Sequence, residues 1–194
     1  MFILKDMEEK ELKILLKKLN GVLLPGYDDD TGNGGYYKRV RQILDFSKKS
    51  KRHLKMKFPV LGIARGAEKI LSYISKRDSL IEADAVNLSL PIKWKSKVKH
   101  SRMFGHAPAG LVNIAGRQPI GFFHSHYVIP YTSFTNDTRL KKKVRALSTN
   151  VDRNGTEFVS TFEGKIFWAI NVFAFSFTFA GCVLIGLSKY TTFS

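Results

Sequence analysis

Apolar residues recur with the spacing of an α-helix in the first twenty positions of the chain. Asp6, with Glu9 three residues later, has the pattern of a capped helix start. The apolar positions that follow form one stripe, and lysines occupy the other sides. The stripe consists of Leu12, Leu15, Leu16 and Leu19. Because Asn20-Gly21 is a helix-ending pair, the pattern predicts an amphipathic helix that stops there.

Short apolar runs then alternate with helical patterns. Residues 21–26 predict a short buried strand, and residues 36–50 predict a second amphipathic helix after the aspartate-rich loop 28–35. Residues 58–62 predict another buried strand, and residues 67–76 a third helix. Because helices that connect successive strands favour parallel pairing, this order predicts an α/β fold.

The second half of the chain is richer in strand patterns. Residues 86–90 alternate between apolar and polar side chains, and residues 123–128 do so in part. Residues 139–147 predict a short basic helix. Residues 147–151 and 157–161 predict two strands on either side of an Asp-Arg-Asn-Gly turn.

The C-terminal segment differs in character from the rest. Residues 166–187 carry no charge and are long enough to span a bilayer as a helix. The same segment has an alternating set of aromatic residues, and this period of two is typical of a strand. The set is Phe173, Phe175, Phe177 and Phe179. We therefore divide the chain into an α/β domain, 1–165, and a segment, 166–194, that is either a strand plus helix of that domain or a membrane anchor.

The chain is strongly basic. Its 194 residues have a formal net charge of +16 and a pI of about 10.0, which favours an anionic partner. The basic residues are spread over several clusters without the signature of a nucleic-acid-binding module, so solvated lysine-rich faces are favoured over nucleic-acid binding.

Cys182 is the only cysteine, which excludes an intrachain disulfide. The N-terminal residues lack the apolar core of a signal peptide, so three N-x-S/T sequons carry little weight.

Residues 62–66, Gly-Ile-Ala-Arg-Gly, lie between a predicted strand and a predicted helix. A sharp turn of this kind, with glycines on both sides of a central residue, is the layout of a nucleophile elbow. Backbone N–H groups at the start of the following helix are placed to stabilise an oxyanion. The central position of such an elbow carries Ser or Cys, but here it is Ala64, whose methyl group is not a nucleophile.

Several segments together resemble the gamma-glutamyl hydrolases. Residues 19–26, Leu-Asn-Gly-Val-Leu-Leu-Pro-Gly, resemble that family's N-G-[IV]-L-x-P-G-G segment. Residues 58–66, Phe-Pro-Val-Leu-Gly-Ile-Ala-Arg-Gly, resemble its F-P-V-W-G-T-C-L-G segment. Residues 100–104, 123–124 and 158–164 match further family segments in the same order. The resemblance covers about residues 6–164.

The resemblance implies a three-layer α/β sandwich of the class I glutamine amidotransferase, flavodoxin-like type. Its central sheet would be mostly parallel, and the family's first strand and helix, upstream of Asp6, would be missing. The implied reaction is hydrolysis of folylpoly-γ-glutamates by a cysteine thiolate with a histidine base. It needs no cofactor. The implied compartments are the lysosome, the vacuole or the outside of the cell.

The sequence departs from the family at the residues that carry the chemistry. Ala64 occupies the position of the nucleophilic cysteine, and an ungapped overlay puts Phe175 at that of the histidine base. No histidine follows His126. The loop glycine Gly26 is kept, but Tyr27 replaces the second glycine of the family's P-G-G.

The candidate substrate-binding residues are Gly26, Arg65, Glu68 and His124. Arg65 replaces a leucine of the family segment, whereas the other three match family positions: Gly26, Glu68 and His124. Glu68 and His124 each also have an ordinary structural interpretation, Glu68 as a carboxylate in the first turn of a helix and His124 as a packed or surface histidine. His124 and His126 lack a third ligand that would make a metal site.

The sequence therefore predicts a gamma-glutamyl hydrolase-like protein that has lost catalysis and keeps weak affinity for anionic γ-glutamyl chains. Three alternatives stay open. One is a membrane-anchored interaction protein without enzymatic activity, and another is a peptidase that acts by an unrecognised route. The third is a faulty gene model, because the sequence changes character abruptly after Gly164.

Overall fold

The structure is a computed structural model that describes residues 7–25, 35–53, 58–95, 98–165 and 167–170, with only the backbone of 51–53 and 167–170. The elements, in chain order, are α1 (Glu9–Lys17), β1 (Val22–Leu24), α2 (Gly35–His53), β2 (Val60–Ile63), α3 (Arg65–Ser75), β3 (Ile81–Leu90), β4 (Lys93–Trp94), a 3-10 helix (Val98–His100), α4 (Ala109–Arg117), β5 (Gly121–Val128), α5 (Tyr131–Asn136), α6 (Thr138–Lys143), β6 (Val144–Val151), β7 (Glu157–Gly164) and β8 (Phe167–Ile170).

A six-stranded sheet with the order β1-β2-β8-β7-β6-β4 forms the centre. β1 and β8 run parallel to β2, whereas the pairs β8–β7, β7–β6 and β6–β4 are antiparallel. Connection length explains the difference, because a tight turn joins β6 to β7, whereas the α2 crossover separates β1 from β2. The expected α/β class is confirmed. The described sheet is mixed, and its parallel pairing is confined to β1, β2 and β8.

The central sheet is covered on both faces, which gives the expected three layers. On one face, Val60 packs with residues of α1, α2 and α3. On the other face, Leu61 packs with a two-stranded antiparallel sheet of β3 and β5 and with α4. Because successive side chains of a strand point to opposite faces, these two neighbours in β2 belong to two separate cores.

Several predicted boundaries differ from the structure. The strand predicted at residues 86–90 begins at Ile81, and the second helix, predicted at 36–50, extends to His53. The predicted helix 139–147 ends at Lys143, and Val144 already begins β6. The reason is that Val144 and the residues after it pair with β7 and are largely buried, so sheet packing overrides local helical preference. The first helix begins at Glu9 with Glu8 as its N-cap and no side-chain cap bond. The predicted helix start at Asp6 is therefore wrong, because the N-cap position belongs to Glu8. Asp6 itself lies outside the described residues.

The C-terminal segment is described only at its start, where Phe167–Ile170 form β8. None of the helices in the described ranges is long and apolar enough to cross a membrane. Residues 171–194 lie outside the described residues. The choice between a membrane anchor and further elements of the domain therefore stays a prediction.

Candidate active site

The turn between β2 and α3 holds Ala64 in an unusual backbone conformation. Its φ is 48° and its ψ is −117°, and it is the N-cap residue of α3. The carbonyl oxygen of Ala64 accepts hydrogen bonds from the N–H groups of Ala67, at 2.8 Å, and Glu68, at 3.2 Å. A positive φ in a residue with a Cβ costs about 1–3 kcal/mol, and such strain persists only where the surrounding structure imposes it.

Close backbone packing explains why glycines flank this turn. A Cβ added at Gly62 would lie 2.7 Å from the carbonyl oxygen of Gly66, on the other side of the turn. A Cβ added at Gly66 would lie only 2.2 Å from the carbonyl oxygen of Leu24, in β1. The first glycine therefore lets the turn close on itself, and the second lets the start of α3 contact β1 directly.

Two of the residues predicted to bind substrate lie in the first turn of α3, next to Ala64. Glu68 is buried, with 4% of its surface exposed, and its Oε2 lies 4.0 Å from the Nε of Arg65. The carboxylate lies in the first turn of α3, near the positive end of the helix dipole. The structure thus brings Arg65 and Glu68 together with Ala64.

His124 lies in the two-stranded sheet, in β5. Its Nδ1 lies 2.9 Å from the Oδ1 of Asn87 in β3, and its ring stacks on Phe122. Its chain neighbour Phe123 is fully buried in the core beneath the central sheet, so the His124 side chain points to the opposite face of β5. His126 lies on the same face, with its ring centroid 6.4 Å from that of His124. A substrate-binding role for His124 stays a prediction.

Asn87 is a site feature that the sequence interpretation missed. It has a φ of 50°, and its side-chain oxygen is the hydrogen-bond partner of His124. Asparagine tolerates a left-handed backbone better than most residues, which is the one signal in the sequence that marked this position. The sequence patterns place Asn87 in the alternating strand 86–90 and in one of the three N-x-S/T sequons, and neither indicates this contact.

The remaining site positions, Gly26 and Phe175, lie outside the described residues. β8 nevertheless shows where the chain runs before Phe175. Ile170, its last residue, pairs with Ile63, the residue that precedes Ala64. Because β8 runs parallel to β2, the chain leaves it at the edge of the sheet where the Ala64 turn lies.

A metal ion has no candidate site in the part of the chain that the structure describes. No group of three or more His, Cys, Asp or Glu residues is placed there to hold one. His124 and His126 therefore have no third ligand among the described residues.

Comparison with solved structures shows the class of fold. The chain is similar to the glutaminase domain of CTPS from Trypanosoma brucei, solved with bound acivicin, with a TM-score of 0.62 and 14% sequence identity. The match covers 94% of this chain and 74% of that domain. At this identity the similarity bears on the fold alone. The protein has the class I glutamine amidotransferase-like α/β fold that the sequence predicted.

Comparison of sequences shows the family. Human gamma-glutamyl hydrolase is 32% identical over 159 residues, which cover 82% of this chain and 49% of the human protein. Gamma-glutamyl hydrolase B from Dictyostelium discoideum is 29% identical over 165 residues, which cover 84% of this chain and 47% of that protein. The chain spans about half the length of these relatives, and no protein-family model matches it. The chain belongs to the gamma-glutamyl hydrolase family.

Substitution of Gly66 by alanine tests the close packing at the turn. We expect Gly66→Ala to lower the free energy of unfolding by about 3 kcal/mol, the upper end of what overpacking costs, because the new Cβ meets a backbone atom that cannot move aside cheaply. Chemical denaturation followed by circular dichroism measures this. Gly110→Ala in α4 is the matched control, because its Cβ meets nothing within 4 Å and alanine favours the helix. Equal effects of the two substitutions would contradict the packing described here.

Proposed function

We propose that this protein is a member of the gamma-glutamyl hydrolase family that does not hydrolyse folylpoly-γ-glutamates. One observation carries the proposal: Ala64 occupies the strained strand-to-helix turn at which the resemblance places the nucleophilic cysteine. A methyl group has neither a lone pair to attack a carbonyl carbon nor a proton to transfer. The covalent step of cysteine hydrolysis therefore lacks its first reactant.

The geometry of the turn supports its interpretation as a nucleophile elbow. Such an elbow needs a strand, a residue in a strained conformation and a helix that starts at once, and residues 60–75 have this order. The first N–H groups of a helix have no partner within the helix, so those of Arg65 and Gly66 are suited to donate hydrogen bonds to a developing oxyanion. In this proposal the scaffold for transition-state stabilisation is kept, and only the reacting atoms are lost.

The second reacting group is the histidine base, and its position is Phe175. A phenyl ring cannot accept a proton from a thiol. The loss of both groups matters because nucleophile and base act as a unit, and removing either member removes most of the rate enhancement. Restoring the thiol alone is therefore expected to give little turnover.

A glutamate-release assay tests the loss of hydrolysis. The full-length chain is incubated with a pteroylpolyglutamate, and free glutamate is followed over hours, with human gamma-glutamyl hydrolase as positive control. We expect no release above that of a buffer blank, because no thiol or imidazole is present at the family's positions. Release that scales with protein concentration and follows the protein through successive chromatographic steps would overturn the proposal.

We also propose that the protein keeps weak affinity for anionic γ-glutamyl chains, with His124 as one contact. A polyglutamate tail carries one carboxylate per residue, and this chain has a net charge of +16, so association is favoured electrostatically. Exposed charges are screened within about 8 Å at physiological ionic strength, so the affinity should fall as salt rises.

The contribution of His124 is measured by titrating the protein with a fluorescent pteroylpentaglutamate. We expect His124→Ala to weaken binding about tenfold, which corresponds to the loss of one hydrogen bond to a charged group. His126→Ala is the matched control, because it removes an imidazole from the same face of β5. Affinities that respond neither to salt nor to His124→Ala would contradict a retained binding site.

A further inference from the structure

A cleft of about 370 Å³ lies at the edge of the central sheet where β7 ends. Six lysine and arginine side chains line this basic cleft: Arg102, Lys141, Lys142, Lys143, Arg145 and Lys165. The basic cleft is distant from the candidate active site. β8 begins just after β7 ends, and its first residue pairs with the first residue of β2, so the cleft lies near the start of β2. The Ala64 turn follows the other end of β2, so the length of a strand, about 13 Å, separates the two sites.

The acidic side chain in the lining of the basic cleft, Glu163, is neutralised by the protein itself. One carboxylate oxygen accepts hydrogen bonds from Nε of Arg145, at 2.9 Å, and from its Nη2, at 2.6 Å. The other accepts from Oγ of Ser101, at 2.8 Å, and from the N–H of Arg102, at 2.9 Å. Glu163 is 5% exposed, so its charge serves this internal network and does not offset the lysines.

The four lysines of the basic cleft are exposed to solvent. Among the described residues, none of them forms an ion pair with a carboxylate. Three of them, Lys141–Lys143, form the last turn of α6 and complement its dipole. That helix has only six residues, and Lys165 comes from a different part of the chain, so the helix dipole does not account for their convergence.

The positive charge extends from the basic cleft to the neighbouring helices. Burial lowers the pKa of Lys48 in α2, and repulsion from Lys143 lowers it further, with a smaller contribution from Lys76. Nearby Asp45 opposes this shift only in part. An anion bound beside Lys143 would relieve like-charge repulsion in the folded protein.

We propose that the basic cleft binds a short chain of linked phosphates, such as tripolyphosphate or the triphosphate group of a nucleotide. Linked phosphates place several negative charges within a short span, which matches four ammonium groups around one small cleft. Lysine ammonium groups bind phosphate oxygens as point charges and need no fixed geometry. A polyglutamate chain spreads the same charge over a greater length, so it fits the cleft less well. The inference does not depend on whether the Ala64 site is active.

Isothermal titration of the full-length chain with sodium tripolyphosphate, at about 150 mM salt, tests the proposal. We expect the triple variant Lys142→Gln, Lys143→Gln, Lys165→Gln to bind at least tenfold more weakly than the unchanged chain. The matched control is Lys10→Gln, Lys17→Gln, Lys18→Gln, which removes the same charge from exposed positions in and beside α1. We expect less than a threefold effect from the control, because its lysines lie on a different element.

Two further measurements separate the outcomes. Thermal unfolding by circular dichroism confirms that the variants fold, and the single change Lys142→Glu replaces the triple variant if they do not. Titration with adenosine triphosphate shows whether the cleft binds a nucleotide or free polyphosphate more tightly. Weaker binding of either ligand to the cleft variant supports the site. Equal losses of tripolyphosphate affinity in the cleft and control variants would overturn the proposal. It would also be overturned if a hexaglutamate peptide bound as tightly as tripolyphosphate, or more tightly, and lost this binding in the cleft variant.

Discussion

The close approach of the backbone at residues 62–66 to β1 is the constraint on which the arrangement of this protein depends. Gly66 packs against the carbonyl of Leu24, and Gly62 packs against Gly66, so close backbone contacts connect β1, β2 and the start of α3. The turn from strand to helix closes within this contact. Ala64 therefore adopts a positive φ although alanine gains nothing chemically from that conformation.

The rest of the sheet is organised around this turn. β8 inserts between β2 and β7, and its last residue pairs with the residue before Ala64. The antiparallel half, formed by β7, β6 and β4, carries Glu163 and the basic cleft at the opposite edge. One edge of the sheet therefore carries the strained turn at Ala64, and the other carries the lysines of the basic cleft.

The sequence predicted the elements whose signals are local. The helix α2, the strand β2, the helix α3 and the hairpin of β6 and β7 all appeared in the pattern of apolar residues and turn residues. It placed the start of β6 too late, because the buried pairing of Val144 with β7 outweighs the helical preference of the preceding lysines. It also did not reveal the antiparallel pairing of β4 with β6 and of β8 with β7, or the face to which His124 points. The basic cleft combines three segments that are distant in sequence, and only the tertiary fold brings their charges together.

The reactivity of a thiol placed at position 64 tests most directly whether this turn keeps the geometry of an active site. In a Cys182→Ser background, the rate of alkylation of Ala64→Cys is measured against pH and compared with that of Lys10→Cys, a cysteine on the exposed side of α1. A thiol at the start of α3 should titrate below the ordinary value of about 8.5, because the helix N-terminus stabilises the thiolate. The cysteine on α1 should titrate near that value. Identical titration of the two cysteines would contradict the account.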